Sequence, residues 1–323
     1  MRDRLTAFIA TPAPAGSTAG NRITALRWAK RLRELGWHVQ VATEWEGERC
    51  DLLVALHAHK SHASLVRHAR ARPEVPRVLA LTGTDLHEAL LHDPVARESL
   101  ALATRYVVLQ PLALSLLPEH VRHRARVIRQ SAAAPPAAPA QPELTVCALA
   151  HLRDVKDPLL AAHATSLLPD RARLRVVHLG GAPDEDWARR ARDAERATRG
   201  RWTWLGPRPR VDALRVLGGS RLLVLTSRSE GGANVVTEAI AAGIPVLSTR
   251  IDGSLGILGE TYPGYFEVGD AAGLASLFER CEAEPSFVDD LRERVVALRP
   301  QVEPAAERAS WRELLRELEG TGG

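Results

Sequence analysis

Glu230 and Glu238 lie eight residues apart around Gly231, Gly232 and Ala233, inside the run RLLVLTSRSEGGANVVTEAIAAGIPVLSTRIDGSLGILG, residues 221–259. The run reads as a buried strand, a glycine-bearing loop, a helix from about Asn234, and a second buried strand. Small residues at 231–233 let a ligand approach the backbone closely. The free N–H groups of Asn234 and Val235 and the positive end of the helix dipole suit a diphosphate. Glu238, one turn into that helix, is placed to accept hydrogen bonds from ribose hydroxyls, and Glu230, before the loop, can touch the hydroxyls of a sugar. A strand–turn–helix with one solvated glutamate at each end is the plain alternative. The paired spacing, the glycines and the G-I-P-V that follows argue against it.

A second cluster, CALAHLRDVKDPLL at 147–160, closes another strand. Lys156 and Arg153 can stabilise charge that develops on a departing diphosphate, because fixed cations act where negative charge appears. His151 sits five residues before Lys156. From this segment alone, a surface Lys and Arg near a helix start explain it equally well.

The first half ends strand after strand on polar loops: His57-Ala58-His59-Lys60, Thr82-Gly83-Thr84-Asp85, Gln110, and Arg129-Gln130-Ser131. Each is taken as an acceptor-side candidate, since loops beyond the carboxyl ends of parallel strands line ligand crevices. Gly16 and Gly20 flank small hydroxyl residues before the first helix, where Asn21 is a candidate helix cap. Gly20 and Asn21 are candidates to meet the donor phosphates, although a plain turn with a cap accounts for them as well. His57 and His59 have no third ligand at metal spacing, and Asp184-Glu185-Asp186 precedes a helix whose dipole favours acids, so no metal is expected.

The elements that must position these groups alternate strand and helix, the α/β signature. Strands are expected at Leu5–Ala10, His38–Thr43, Leu52–Leu56, Val78–Leu81, Tyr106–Gln110 and Arg126–Arg129, then at Thr145–Ala150, Arg175–Leu179, Trp202–Leu205, Leu222–Thr226 and Val246–Ser248. Ile23, Leu26, Ala29, Leu32 and Leu35 mark a helix that Gly36 ends. Residues 131–143, SAAAPPAAPAQPE, hold four prolines and read as a semi-rigid linker. The expected organisation is therefore two doubly wound domains, 1–130 on the acceptor side and 144–303 on the nucleotide side, facing across a cleft. A final helix, residues 304–323, carries Trp311, Leu314, Leu315 and Leu318 as an apolar stripe.

The chain has 323 residues, 45% of them hydrophobic, 25% charged, and a net charge of +4. That suits two globular domains and a small anionic ligand. Nucleic acid is not expected, since aromatic residues make up only 4% and no basic block is interleaved with them. No apolar run is long enough to span a membrane, and the N-terminus does not read as a signal peptide, so a cytoplasmic location without stable membrane association is expected. Cys50, Cys147 and Cys281 are far apart and read as buried apolar residues in a reducing compartment.

The 221–259 run resembles the donor motif of the retaining GT-B glycosyltransferases of group 1. The resemblance implies two Rossmann-like domains, a UDP-sugar donor and no metal or other cofactor. It also implies that the last helix crosses back to the first domain. The family usually has Arg where this chain has His151, which puts the leaving-group clamp in doubt, because His cannot make the bidentate contact of Arg; Arg153 is the candidate to replace that charge. Further phrases, TPAPAGSTAGNRITALRWAKRLRELGWHV, LLVALHAHKS, LTGTDLHE, VVLQP, HLRDVKDP and GILGETYPGYFEVGD, resemble a narrower group, the selenosugar synthases of selenoneine biosynthesis. This resemblance implies transfer of N-acetylglucosamine or a related hexose from a UDP-sugar to selenophosphate, with a carbon–selenium bond formed. Lys60 and Arg129, with Asn21, Thr84 and Gln130, would then hold the phosphoryl group. An ordinary glycosyltransferase acting on a glycan, lipid or small molecule, a hydrolysing epimerase, and a non-catalytic sugar-nucleotide sensor share the donor-side features. The sequence leaves open the sugar, the stereochemistry at its anomeric carbon and the oligomeric state.

Overall fold

The computed structural model describes residues 4–83, 85–86, 92–135 and 144–320. The chain divides into two units, one of residues 1–131, 230–233 and 301–323, the other of residues 132–229 and 234–300. Each is built on its own all-parallel sheet.

In the first unit the strands are β1 (Thr6–Ala10), β2 (His38–Ala42), β3 (Leu52–Leu56), β4 (Arg77–Leu81), β5 (Arg105–Val108) and β6 (Ala125–Val127). Their order is β2-β1-β3-β4-β5-β6. Strands covered on both faces need apolar residues at every position, and β3 and β4 are buried throughout. Phe8, Leu53, Leu79 and Tyr106 point into one core with Leu65 and Leu100. Ile9, Val54, Val78 and Val107 point into the other, with Trp28, Leu32 and Trp311. The register switches face at each residue, as the period of two requires.

The first helix spans Gly20–Glu34 and buries Ala25, Trp28, Ala29 and Leu32, while Leu26 stays 48% exposed. Its inner face is therefore turned from the expected stripe, because Trp28 docks edge-on against Trp311, with ring centroids 5.1 Å apart. Gly36 takes the left-handed conformation (φ 95°) just past the helix end. The C-terminal helix, Pro304–Gly320, packs on this first helix through Trp311, Leu314 and Leu315. A buried carboxylate joins the two: Glu307 accepts from Arg27 Nε (2.9 Å), Trp28 Nε1 (3.0 Å) and Ser131 Oγ (2.5 Å).

In the second unit β7 (Thr145–Leu149), β8 (Arg175–Leu179), β9 (Trp202–Trp204), β10 (Leu222–Leu225), β11 (Val246–Thr249) and β12 (Tyr265–Phe266) run in the order β12-β11-β10-β7-β8-β9. The two-residue β12 carries too short a pattern to read from sequence. Asp184 caps the Glu185–Ala197 helix by accepting from the Trp187 N–H at 2.9 Å. Among the described residues no group of three or more His, Cys, Asp or Glu is placed to hold a metal ion.

Candidate functional site

In a doubly wound sheet the crevice opens where the strand order reverses, beyond the carboxyl ends of the strands. In the second unit that point lies between β7 and β10, and the 150–157 and 226–229 loops leave the sheet there. Three contacts tie the loops together. Thr226 Oγ1 donates to the Lys156 carbonyl at 2.8 Å, the Arg228 N–H to the Val155 carbonyl at 2.8 Å, and Arg228 Nη2 to Asp157 Oδ2 at 2.7 Å. Arg153 and Lys156 bracket the 3-10 turn Asp154–Lys156, and Asp157 ends it in the left-handed conformation (φ 41°). A left-handed non-glycine residue is an uncommon conformation that surrounding contacts must hold. The turn carrying Lys156 is thus fixed by its backbone.

His151 follows β7, and its Nδ1 accepts from the Gly181 N–H at 3.1 Å. Burial, then Arg153 and Lys156, hold its pKa below the usual value, so the ring is a neutral donor through Nε2. Positive charge beside it resides on Arg153, which is exposed, and Lys156, which is half-buried. Gly180 is required here: a Cβ at this position would overlap the Ala150 carbonyl.

The Asn234–Ala242 helix begins where expected and buries Val235 and Glu238, with Asn234 half-buried. Glu238 has a side chain only 6% exposed and pairs with Arg210, the first residue of the helix that follows β9, Arg210–Gly219. Sequence reasoning missed Arg210; only the chain's return past β9 brings it to Glu238. Glu230 is half-buried, and Gly231, Gly232 and Ala233 are buried. A Cβ on Gly231 would lie 2.7 Å from the Thr82 carbonyl carbon, and one on Gly232 2.7 Å from Leu109 Cβ. The small residues expected to admit a ligand are therefore demanded by close-packed protein at these two positions.

In the first unit the order reverses between β1 and β3. His57, directly after β3, is held at φ 81°, and its Nδ1 accepts from the Lys60 N–H at 3.3 Å. Burial first of all pushes its pKa down, so the neutral ring carries its proton on Nε2. Asp85 is fully buried and accepts from the Ala58 N–H (3.0 Å) and the Gly83 N–H (2.9 Å), joining the loops after β3 and β4. His59 Nδ1 lies 2.5 Å from Asp93 Oδ2, and Lys60 is exposed. Thr84 lies outside the described residues.

Asn21 does not cap the first helix. The cap is Ala19, without a side-chain bond, and Asn21 Oδ1 instead accepts from Thr82 Oγ1 at 2.8 Å. Gly20 is the first helical residue. Gln110 Oε1 accepts from the Ala113 N–H at 3.2 Å, and Gln130 Nε2 donates to Thr24 Oγ1 at 3.4 Å. Burial lowers the pKa of Arg129. Ser131, expected on the acceptor side, directs its hydroxyl to Glu307.

Among the described residues, four buried atoms beyond strand ends in this unit have no protein partner: Thr11 Oγ1, His57 Nε2, Gln110 Nε2 and Gln130 Oε1. Buried polar groups are nearly always paired, so such atoms mark where water or a ligand supplies the partner. Thr11, a polar residue closing an apolar strand beside the switch point, is the one among them that sequence reasoning passed over.

The family model for glycosyl transferases group 1 matches residues 133–296, just over half the chain. No curated protein matches in sequence. Among solved structures, HepE from Anabaena with UDP and glucose superposes with a TM-score of 0.78 at 15% identity, covering 97% of this chain and all of that one. Sucrose-phosphate synthase from Thermosynechococcus elongatus gives 0.77 at 16% identity, covering 98% and 100%. A glycosyltransferase from Rickettsia africae gives 0.73 at 12% identity, covering 98% and 99%. These likenesses identify the fold as GT-B.

Proposed function

The chain belongs to the glycosyl transferases of group 1, and from that premise we propose that it transfers a sugar, N-acetylglucosamine or a related hexose, from a UDP-sugar to selenophosphate. The observation that carries the donor half is the switch point of the second unit. Glu238 lies buried on its helix, and a backbone-fixed turn presents Lys156. The UDP and glucose held by HepE, which shares the fold, support the same donor class. Glu238 accepts from the ribose, the N–H groups of Asn234 and Val235 meet the diphosphate, and Glu230 contacts the sugar. Because His151 is neutral, Lys156 and Arg153 carry the charge that stabilises the departing UDP.

The acceptor half rests on the sequence phrases that resemble selenosugar synthases and on the cations and donors beyond the strands of the first unit. Selenophosphate brings an already ionised nucleophile, so it needs to be held more than deprotonated. Lys60 and Arg129 attract the phosphoryl group, with His57 Nε2 and Gln110 Nε2 as donors. Selenium forms the bond to the anomeric carbon. The bond from that carbon to the diphosphate oxygen breaks, its electron pair leaving with UDP. Hydrolysis of the selenium–phosphorus bond then gives the 1-selenosugar and phosphate. No metal enters this scheme. Cys50, Cys147 and Cys281 are free and buried, which suits the reducing cytoplasm as its location.

The test is an anaerobic incubation of the purified protein with UDP-N-acetylglucosamine, with and without selenophosphate, followed by mass spectrometry. Selenophosphate-dependent UDP release with a seleno-hexosamine product is the expected result. UDP release only with a glycan or lipid acceptor would replace selenophosphate, and UDP binding without turnover with any acceptor would favour a sensor.

A further inference from the structure

His57 and His59 stand two residues apart in one loop, yet their hydrogen bonds give the rings opposite senses. His57 accepts at Nδ1 from a backbone N–H, so its Nε2 is a donor. His59 meets a carboxylate at Nδ1, 2.5 Å from Asp93 Oδ2, and an ionised carboxylate can only accept. Nδ1 of His59 therefore carries a proton, and in the Nδ1–H tautomer Nε2 offers a lone pair. The His59 bond, then a backbone bond from Val95, keep the Asp93 carboxyl below its ordinary range, which preserves this acceptor-only state.

Asp93 is not free to turn away. It is the N-cap of the Pro94–Leu102 helix, where Oδ1 accepts from the Val95 N–H at 2.9 Å, leaving Oδ2 for His59. The same helix grips the loop again through Ser99 Oγ, which donates to the Ala58 carbonyl at 2.6 Å and lies 2.9 Å from His62 Nδ1. The His59 side chain is 55% exposed.

We propose that Asp93 is a positioning residue that locks His59 in the Nδ1–H tautomer, so that Nε2 accepts a hydrogen bond from a hydroxyl of the bound substrate. This rests on the reading of the His57–Lys60 loop as substrate-facing. With His57 as donor and His59 as acceptor, the loop offers both senses of hydrogen bond.

The Asp93→Asn variant separates the two duties of the residue. Asparagine caps a helix as well as aspartate does, but its carboxamide can donate as well as accept and leaves the tautomer of His59 unfixed. Nitrogen-15 NMR of the imidazoles in the full-length protein should find His59 as the Nδ1–H tautomer in the wild type and a mixture in the variant. The melting temperature should stay unchanged while kcat/KM falls about 10- to 100-fold, the loss typical when the partner that fixes a functional histidine's tautomer is changed. A wild-type His59 carrying its proton on Nε2, an unchanged tautomer in the variant, or full activity with a mixed tautomer would each overturn the proposal. The NMR arm needs no turnover, so it fails or stands separately from the assignment of donor and acceptor.

Discussion

Replacing Glu307 by alanine takes a wholly buried carboxylate away from three donors on two other segments. Arg27, whose side chain is 12% exposed, donates to it at 2.9 Å, the buried Trp28 indole at 3.0 Å, and the Ser131 hydroxyl at 2.5 Å. Removing one partner of a buried ion pair costs about 3–5 kcal/mol. An orphaned neutral donor adds about 1–3 kcal/mol. These terms share one site and do not add fully, so we expect a loss of about 4–6 kcal/mol, a large part of the stability of an ordinary domain. Glu307→Gln keeps an acceptor oxygen and should lose clearly less. Because a chain of two units need not unfold in one step, the assay is native-state hydrogen exchange read by segment, with urea unfolding alongside. Amides of Gly20–Glu34 and Pro304–Gly320 should lose protection together. A loss under about 1 kcal/mol, or faster exchange confined to the C-terminal helix, would refute the view that Glu307 fastens that helix to the first one.

Lys156→Ala should lower kcat about 100-fold or more while leaving the melting temperature unchanged, because the Lys156 carbonyl anchors the turn through Thr226; a variant with full turnover would remove the lysine from the mechanism. Gly180→Ala should cost the second unit more than about 3 kcal/mol, since the new Cβ would overlap the Ala150 carbonyl beside His151, and an unperturbed circular-dichroism melt would contradict this. Burial holds His68 and His178 neutral, each with its pKa lowered from 6.5 to about 4. The unfolded chain binds the extra protons first, so the stability they confer is complete above about pH 6.5 and drains away as the pH falls toward 4. Urea midpoints across that window should fall, and less steeply in His178→Gln; equal midpoints at pH 7 and pH 5 would count against it.

Much of the local structure around the candidate site was legible before any fold was known. The strand–loop–helix around Glu230 and Glu238 is local in sequence, and hydrophobic runs with glycine punctuation place its strand, loop and helix start to within a residue or so. β3 and β10 likewise announce themselves as apolar runs, because a strand buried on both faces leaves no polar position to blur the signal. The loop between the first strand and the first helix falls where its glycines place it, but Asn21 does not cap that helix. Whether a side chain bonds its own helix or a neighbouring loop depends on what lies beside it, here Thr82, 61 residues away.

Sequence alone determined which residues carry charge or can hydrogen-bond, and on which strand ends they emerge, since burial periodicity is written in consecutive residues. Tertiary structure decided their partners and protonation. It set Arg210 on Glu238, Asp93 on His59 and Glu307 under Trp28, and it made His151 a neutral acceptor at Nδ1. It also decided that Trp28 rather than Leu26 faces the core, because Trp311 arrives from nearly 300 residues further along the chain. The physical reason is common to all of these. Hydrogen bonding and desolvation act over a few ångströms of space and are blind to separation along the chain, so no local pattern encodes them.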